Sequence, residues 1–343
     1  MKSFHLFSGI CVMLGLSANG IALAHDDKTM ARPDGHAPIG VMRDHGHKAG
    51  EFMVSYRYGD MNMDGNRDGS SRVSTAEVLE DYRVAPTSMS MKMHMLGAMY
   101  GVSDKLTVAV MTGFADMEMD HICRNTMMPA ACQNGGAFTM KNDGMKDTSV
   151  NALYEYFSDG KRTVLLNAGI SLPTGSVDDR KPNGGIFAYP MQMGSGTYDL
   201  LPGISYRSVS DDWSWGGQAN MTLRLGENGR DYTLGNRYQL TGWVARKIDM
   251  LSVSLRLDGQ AWENVDGTDR DLAGPTFMAP PMDANLQAGE RVDALIGANY
   301  IFAHGALKGH RLAVEYGLPL YENLDGPRLE TDNRFTLGWQ LAF

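Results

Sequence analysis

In the stretch MSMKMHM, residues 89–95, a methionine stands at every second position, alternating with Ser90, Lys92 and His94. Thioethers are soft donors that favour Cu(I), whereas imidazole and carboxylate groups accept Cu(II). The chain holds 25 Met in 343 residues, and the ladder has company nearby. Met61 and Met63 adjoin Asp60 and Asp64, while Met117 and Met119 interleave with Asp116, Glu118 and Asp120 and run into His121. Met127, Met128, Met140 and Met145 follow. If these segments meet at one rim, Met61, Met63, Met117, Met119 and His121 form a soft-metal site. His45 and His47, one residue apart, add a candidate Cu(II) pair. The competing reading is that methionine is a flexible apolar side chain suited to an oily surface, with thioether oxidation as a further role.

Two other stretches have metal or covalent chemistry in their spacing. DMNMDGNRDGSS (60–71) puts Asp60, Asn62, Asp64 and Asp68 at positions 1, 3, 5 and 9 of a calcium loop, with Gly65 at the turn. Ser71 stands where the closing bidentate glutamate belongs, so only a weaker calcium site that orders the loop is expected. Cys123 and Cys132, nine apart in a Gly/Asn/Pro-rich stretch, fit an oxidised staple in an exported protein. Enzymatic groups are scarce. No HExxH, GxSxG or Walker-type motif occurs. Ser90 and His94, four residues apart on one strand, would be ~13 Å apart. No enzyme activity is expected, and no cofactor beyond copper or calcium.

These residues need a scaffold. Lys2, the apolar run HLFSGICVMLGL and Ala22-Leu23-Ala24 read as a signal peptide over residues 1–24. Residues 25–49 read as a flexible, His-containing periplasmic segment, and residues 50–343 as one domain. The formal net charge of −9 gives no case for nucleic acid. From residue 50 the chain alternates apolar and polar positions in units of about 10–14 residues, the period of β-strands. GEFMVSYRY (50–58) and MLSVSLRLD (250–258) are clear examples. Twelve strands are expected near 50–63, 88–100, 104–119, 147–157, 162–173, 197–208, 212–225, 232–246, 250–263, 289–303, 309–321 and 332–343. Their connections are short at one end, and longer at the other over 64–87, 120–146, 174–196 and 264–288. That asymmetry is the pattern of an up-and-down outer-membrane barrel, with short turns in the periplasm and loops outside. In lipid the sheet must close, because no water satisfies an open edge. The last strand, DNRFTLGWQLAF, sets Trp339 and Phe343 on one face and ends on an aromatic, as an outer-membrane insertion signal read by the assembly machinery does.

In such a barrel one face of each strand meets lipid and the other the lumen. Arg57, Arg207, Arg224, Arg237, Arg256, Arg291, Arg311 and Arg334 fall on the polar side of their strands, with Glu315 and other carboxylates. Lys92 joins them by the same logic, since a lysine facing mid-bilayer costs ~2–4 kcal/mol, and the methionines beside it then face lipid. The arginines either bridge to carboxylates and fill the barrel or form a constriction that favours anions.

Three stretches carry a family resemblance: HAPIGVMRDHGHKAGEFMVSYRY (36–58) running into MNMDGNRDG (61–69), APTSMSMKMHMLGAMYG (85–101), and GISLPTG (169–175) followed by MGSGTYD (193–199). Together they resemble the outer-membrane transporters grouped as "MetA pathway of phenol degradation" proteins. The resemblance implies a barrel and a transport role, and supplies no catalytic residues. The expectation is a channel for a small solute, anionic or aromatic, with lipid around it. The alternatives are a copper-handling surface protein and a plugged structural or adhesion barrel.

Overall fold

The computed structural model describes residues 32–124, 136–274 and 278–343. Sixteen strands occur among them: β1 (Phe52–Gly69), β2 (Ser71–Val73), β3 (Val84–Ser103), β4 (Leu106–Cys123), β5 (Ala137–Met145), β6 (Thr148–Ser158), β7 (Arg162–Leu172) and β8 (Tyr198–Leu200). The rest are β9 (Gly203–Val209), β10 (Trp213–Leu225), β11 (Tyr232–Thr233), β12 (Arg237–Ile248), β13 (Leu251–Trp262), β14 (Asp266–Gly267), β15 (Gly289–Ile301) and β16 (His310–Ala342).

Eleven of these strands close an antiparallel ring, in the order β1, β3, β4, β6, β7, β9, β10, β12, β13, β15, β16. Its last member doubles back. The first half of β16 pairs with β15 from Arg311 to Leu324, and the second half pairs with β1 as far as Ala342. Counted as two staves, β16 brings the wall to twelve. The last residue completes the seam, with Phe52 and Phe343 exchanging both backbone hydrogen bonds at 2.8 Å.

The burial pattern is inside out relative to a water-soluble domain. Leu96, Tyr156, Leu240, Leu255 and Leu320 are each about 60% exposed or more, all on the outward face. Arg256, Asp258, Asp293 and Glu315 are buried on the inward face. Such a surface is stable only with hydrocarbon around it. The chain is a transmembrane barrel of the bacterial outer membrane, with the short turns and the C-terminus at its periplasmic end.

Several strands overshoot the bilayer. At ~3.4 Å per residue the 20 residues of β3 reach far beyond an apolar band ~25 Å tall. The β1–β3 and β4–β5 hairpins therefore stand above the membrane as a two-sided wall. The short α1 (Thr75–Asp81), capped by Ser74 and Glu77 in a reciprocal box, fills the connection at the β1–β3 tip.

The segment expected to be a flexible periplasmic tail is, from residue 33 to 47, inside the barrel. Asp34, Ala37, Ile39, Val41, Asp44, His45 and His47 are all buried. The segment rises from the periplasmic mouth to Gly40 and returns. Its contacts run round the wall: Arg311 Nη1 donates to Pro33 O (2.8 Å), Gln218 Nε2 to Met42 O (2.8 Å) and Arg43 Nη1 to Asn151 Oδ1 (3.0 Å). His47 N closes the return by donating to Thr107 Oγ1 (2.7 Å). The physical reason is that its polar groups find partners on the charged lumen wall, while Ala37 and Val41 pack on Trp243.

Candidate functional site: the barrel lumen

Above the re-entrant segment the lumen opens into a cavity of about 660 Å³, within the usual range for small-molecule sites. Two of the long extracellular connections shape it. The chain from Ile186 to Met193 folds inward, burying Phe187, Met191 and Met193 against Met89, Met117 and Met119. Asp147 anchors this fold by accepting from Gly175 N (2.9 Å), Ser195 N (2.7 Å) and Ser195 Oγ (2.8 Å). Leu272 and Ala284 of the next long connection pack with Tyr189 and Tyr232.

One wall is methionine. The register puts Met61 opposite Met91 and Met91 opposite Met117. One step higher, Met63, Met89, Met119 and Met140 stand in line across four strands. Neighbouring strands lie ~4.8 Å apart, so each row is a run of thioethers in lateral contact. Met61, Met63, Met89, Met91, Met93 and Met117 line the cavity. The expectation that the ladder faces lipid is thus reversed. So is that for Lys92, which with His94 lies on the outward face. The reason is height. Lys92 lies in the outer half of β3, directly opposite Asp60 on one side and Asp116 on the other, where opposite charges in register stabilise the sheet.

The same alternation keeps the five residues of the expected soft-metal site on the inward face and separates them from the carboxylates beside them. Met61, Met63, Met117 and Met119 face inward, but Asp116, Glu118 and Asp120 face out, where Glu118 accepts from Lys141 Nζ (2.7 Å) and Asp120 from Ser88 Oγ (3.0 Å). His121 is inward and buried, stacked on Phe138 with ring centroids 4.9 Å apart. The calcium candidate is not assembled. Asp60, Asn62, Asp64 and Asp68 lie along β1, the first three ~7 Å apart in succession and Asp68 ~14 Å beyond Asp64, rather than wrapped round one point. Cys123 is disulfide-bonded, and Cys132 lies outside the described residues.

The wall that adjoins it, β13 to β16, is cationic and largely self-neutralised, with Arg334 the partner of Met61 in register. Glu315, Arg256, Asp258, Arg334, Asp293, Arg291 and Glu322 form one chain of ion pairs, with successive N–O distances of 2.7, 3.3, 3.2, 2.6, 3.1 and 3.9 Å. Arg224 pairs with Asp199. Arg57, Arg207 and Arg311 lie lower, buried beside the re-entrant segment.

Three cations on the cavity lack a carboxylate salt bridge among the described residues. Arg237 and Arg328 both lie over the Trp262 ring, at 5.6 and 5.9 Å from its centroid. Lys146 donates to Gln192 O (3.3 Å), and its pKa is lowered to about 8 by burial. Asp147 opposes that shift, while Arg237 and Arg224 add to it. Arg328 and Lys146 are absent from the expected lumen set. Arg328 sits between the last two expected strands, and Lys146 at the end of an expected loop, so strand alternation could assign neither a face.

Trp339 donates from Nε1 to His310 Nδ1 (2.9 Å), and the Phe343 ring meets Phe52 edge-on, with centroids 5.3 Å apart.

Comparison with known proteins agrees with this architecture. The family described as "MetA-pathway of phenol degradation" matches over residues 106–289. The chain is similar to the COG4313 outer membrane channel from Pseudomonas putida F1, at 14% identity and a TM-score of 0.59, covering 88% of this chain and 98% of that one. It is also similar to the KdgM porin at 12% identity, with a TM-score of 0.40 over 85% of this chain and 99% of that one. No curated protein sequence matches the chain.

Proposed function

The chain belongs to the MetA-pathway of phenol degradation family, and from that premise we propose that it is an outer-membrane channel for a small solute with an apolar body and an anionic end. The observation that carries this reading is the two-faced cavity. Methionines with adaptable, polarisable side chains form one wall, and Arg237 and Arg328 flank Trp262 on the other. A carboxylate on an aromatic or aliphatic body meets both needs at once. Guanidinium forks grip the carboxylate, and the thioether wall accepts the rest. The ion-paired arginines set the shape and field of the lumen rather than the charge that selects.

Residues 33–47 occupy the periplasmic half, so passage requires their displacement. The test is ion current across a planar bilayer under a salt gradient, with wild type and a chain lacking residues 25–47. Anion-selective steps that grow on deletion, and that benzoate blocks more than benzyl alcohol, support the proposal. Silence from the deleted, correctly inserted barrel would sink it and leave a structural or adhesion role. Trp339 and Phe343, on the closing strand, are proposed as the contact with the assembly machinery.

The in-register methionine rows favour a second reading, in which the cavity holds a soft cation such as Cu(I). Arg291 Nη1, 4.0 Å from Met61 Sδ, opposes it. A Cu(I) titration against a chromophoric chelator decides. Affinity unchanged by Met61→Leu, Met91→Leu and Met117→Leu together would dismiss this reading.

A further inference from the structure

The re-entrant segment contains a cluster that the channel reading does not use. His36, Asp44 and His45 each offer one ligand atom, and these atoms lie within 4.8 Å of one another. All three residues are buried, at 7%, 5% and 3% exposure. The His36 and His45 rings are 3.9 Å apart between centroids, and His47 stands 5.1 Å from His45. Asp44 ties the group together: its Oδ2 accepts from Ala37 N (2.8 Å) and its Oδ1 lies 2.8 Å from His45 Nδ1. That contact occupies one nitrogen of His45. The other, Nε2, is buried with no hydrogen-bond partner among the described residues, a state that is destabilising unless something fills it.

From this geometry we infer a binding site for a divalent transition ion of the zinc–copper group, held by His36, Asp44 and His45. Two imidazoles and a carboxylate are the donor set that such ions take, with zinc bonds of ~2.0–2.2 Å. Small side-chain movements bring the three atoms to that distance. A crevice at the periplasmic mouth, lined by His45, His47 and Thr107, gives an access route. Asp44 has Arg57, Arg207 and Arg311 within electrostatic reach. These cations weaken the site for any metal ion.

The position of the ligands decides the consequence. His36 lies on the rising limb of the segment, and Asp44 and His45 on the returning limb, with Gly40 at the top between them. No ligand comes from the barrel wall. The ion therefore staples the two limbs together and stabilises the shape in which the segment fills the lumen. Metal occupancy favours the closed channel whatever solute the barrel carries.

Zn²⁺ is the probe. The purified full-length barrel, stripped with a chelator in detergent, is titrated calorimetrically, with folding checked by heat-dependent gel migration. One Zn²⁺ per barrel is expected, with affinity reduced at least about tenfold in His36→Ala, in His45→Ala and in the shape-conserving Asp44→Asn. Zn²⁺ should also slow tryptic cleavage after Arg43 in wild type and leave the variants unaffected. No stoichiometric binding, or binding of equal strength in the three variants, overturns the site. Binding without protection overturns the staple.

Discussion

Arg256 on β13 and Glu315 on β16 form a two-pronged ion pair, Nε–Oε1 2.9 Å and Nη2–Oε2 2.7 Å, that passes over Gly297 of the intervening β15. Gly40, at the top of the re-entrant segment, rests directly on it. A Cβ there would fall inside contact distance of both Glu315 Oε2 and Arg256 Nη2. The pair is thus a ledge on which the segment stops, and only glycine fits it.

That contact predicts the behaviour of Gly40→Val. The added side chain must displace either the ion pair or the segment, and breaking a buried ion pair is the costlier of the two. Tryptic cleavage after Arg43 should quicken several-fold and mean conductance should rise. Wild-type protection in the variant would show that the wall yields instead.

Glu315→Gln removes one partner of a buried pair and leaves Arg256 charged. Breaking such pairs costs about 3–5 kcal/mol. The low end, about 3 kcal/mol, is expected, because Asp258 still lies 3.3 Å from Arg256. The check is the urea midpoint of the barrel in micelles. Replacing Glu315 and Arg256 together by Leu and Met should recover most of that loss.

Arg237→Ala and Arg328→Ala each remove a cation that is not matched by a carboxylate, whereas Arg334→Ala removes one that is. Reversal potentials should shift toward zero in the first two. Arg334→Ala leaves Asp258 with Arg256 alone and Asp293 with Arg291 alone, and should shift the potential further, toward cation selectivity. Equal effects from all three would argue against a division between structural and selecting arginines.

Lys146 supplies a pH test. With its pKa lowered to about 8 by burial, it carries its charge below that pH and loses it above. Anion selectivity should therefore fall as pH rises from 7 to 9. In Lys146→Met it should be lower at pH 7 and flat across the same window. A wild type that is also flat would remove Lys146 from the selecting set.

The sequence by itself determined the barrel and its closure. Period-2 alternation, short and long connections in turn, and the terminal Trp339 and Phe343 follow from local geometry and the demands of lipid, and both can be read along one strand at a time. The inward arginines of β9 to β16 were legible for the same reason, because a charged face and a clean leucine face leave one choice of phase. The ladder of β3 was not. Lys92 points to one phase, while Leu96, Tyr100 and Val102 on that same face point to the other. Height along the strand resolves the conflict, since Lys92 meets Asp60 and Asp116 toward the outer end, and height depends on how far the β1–β3 hairpin extends. Only the tertiary structure decided what fills the lumen. The fit of Gly40 over Arg256 and Glu315 and the inward fold of Met191 and Met193 join groups across a closed ring, and His36 meets Asp44 and His45 only because the segment turns back inside it. Such contacts leave no periodic trace in the chain, since each is set by the radius of the barrel and the reach of a side chain across it.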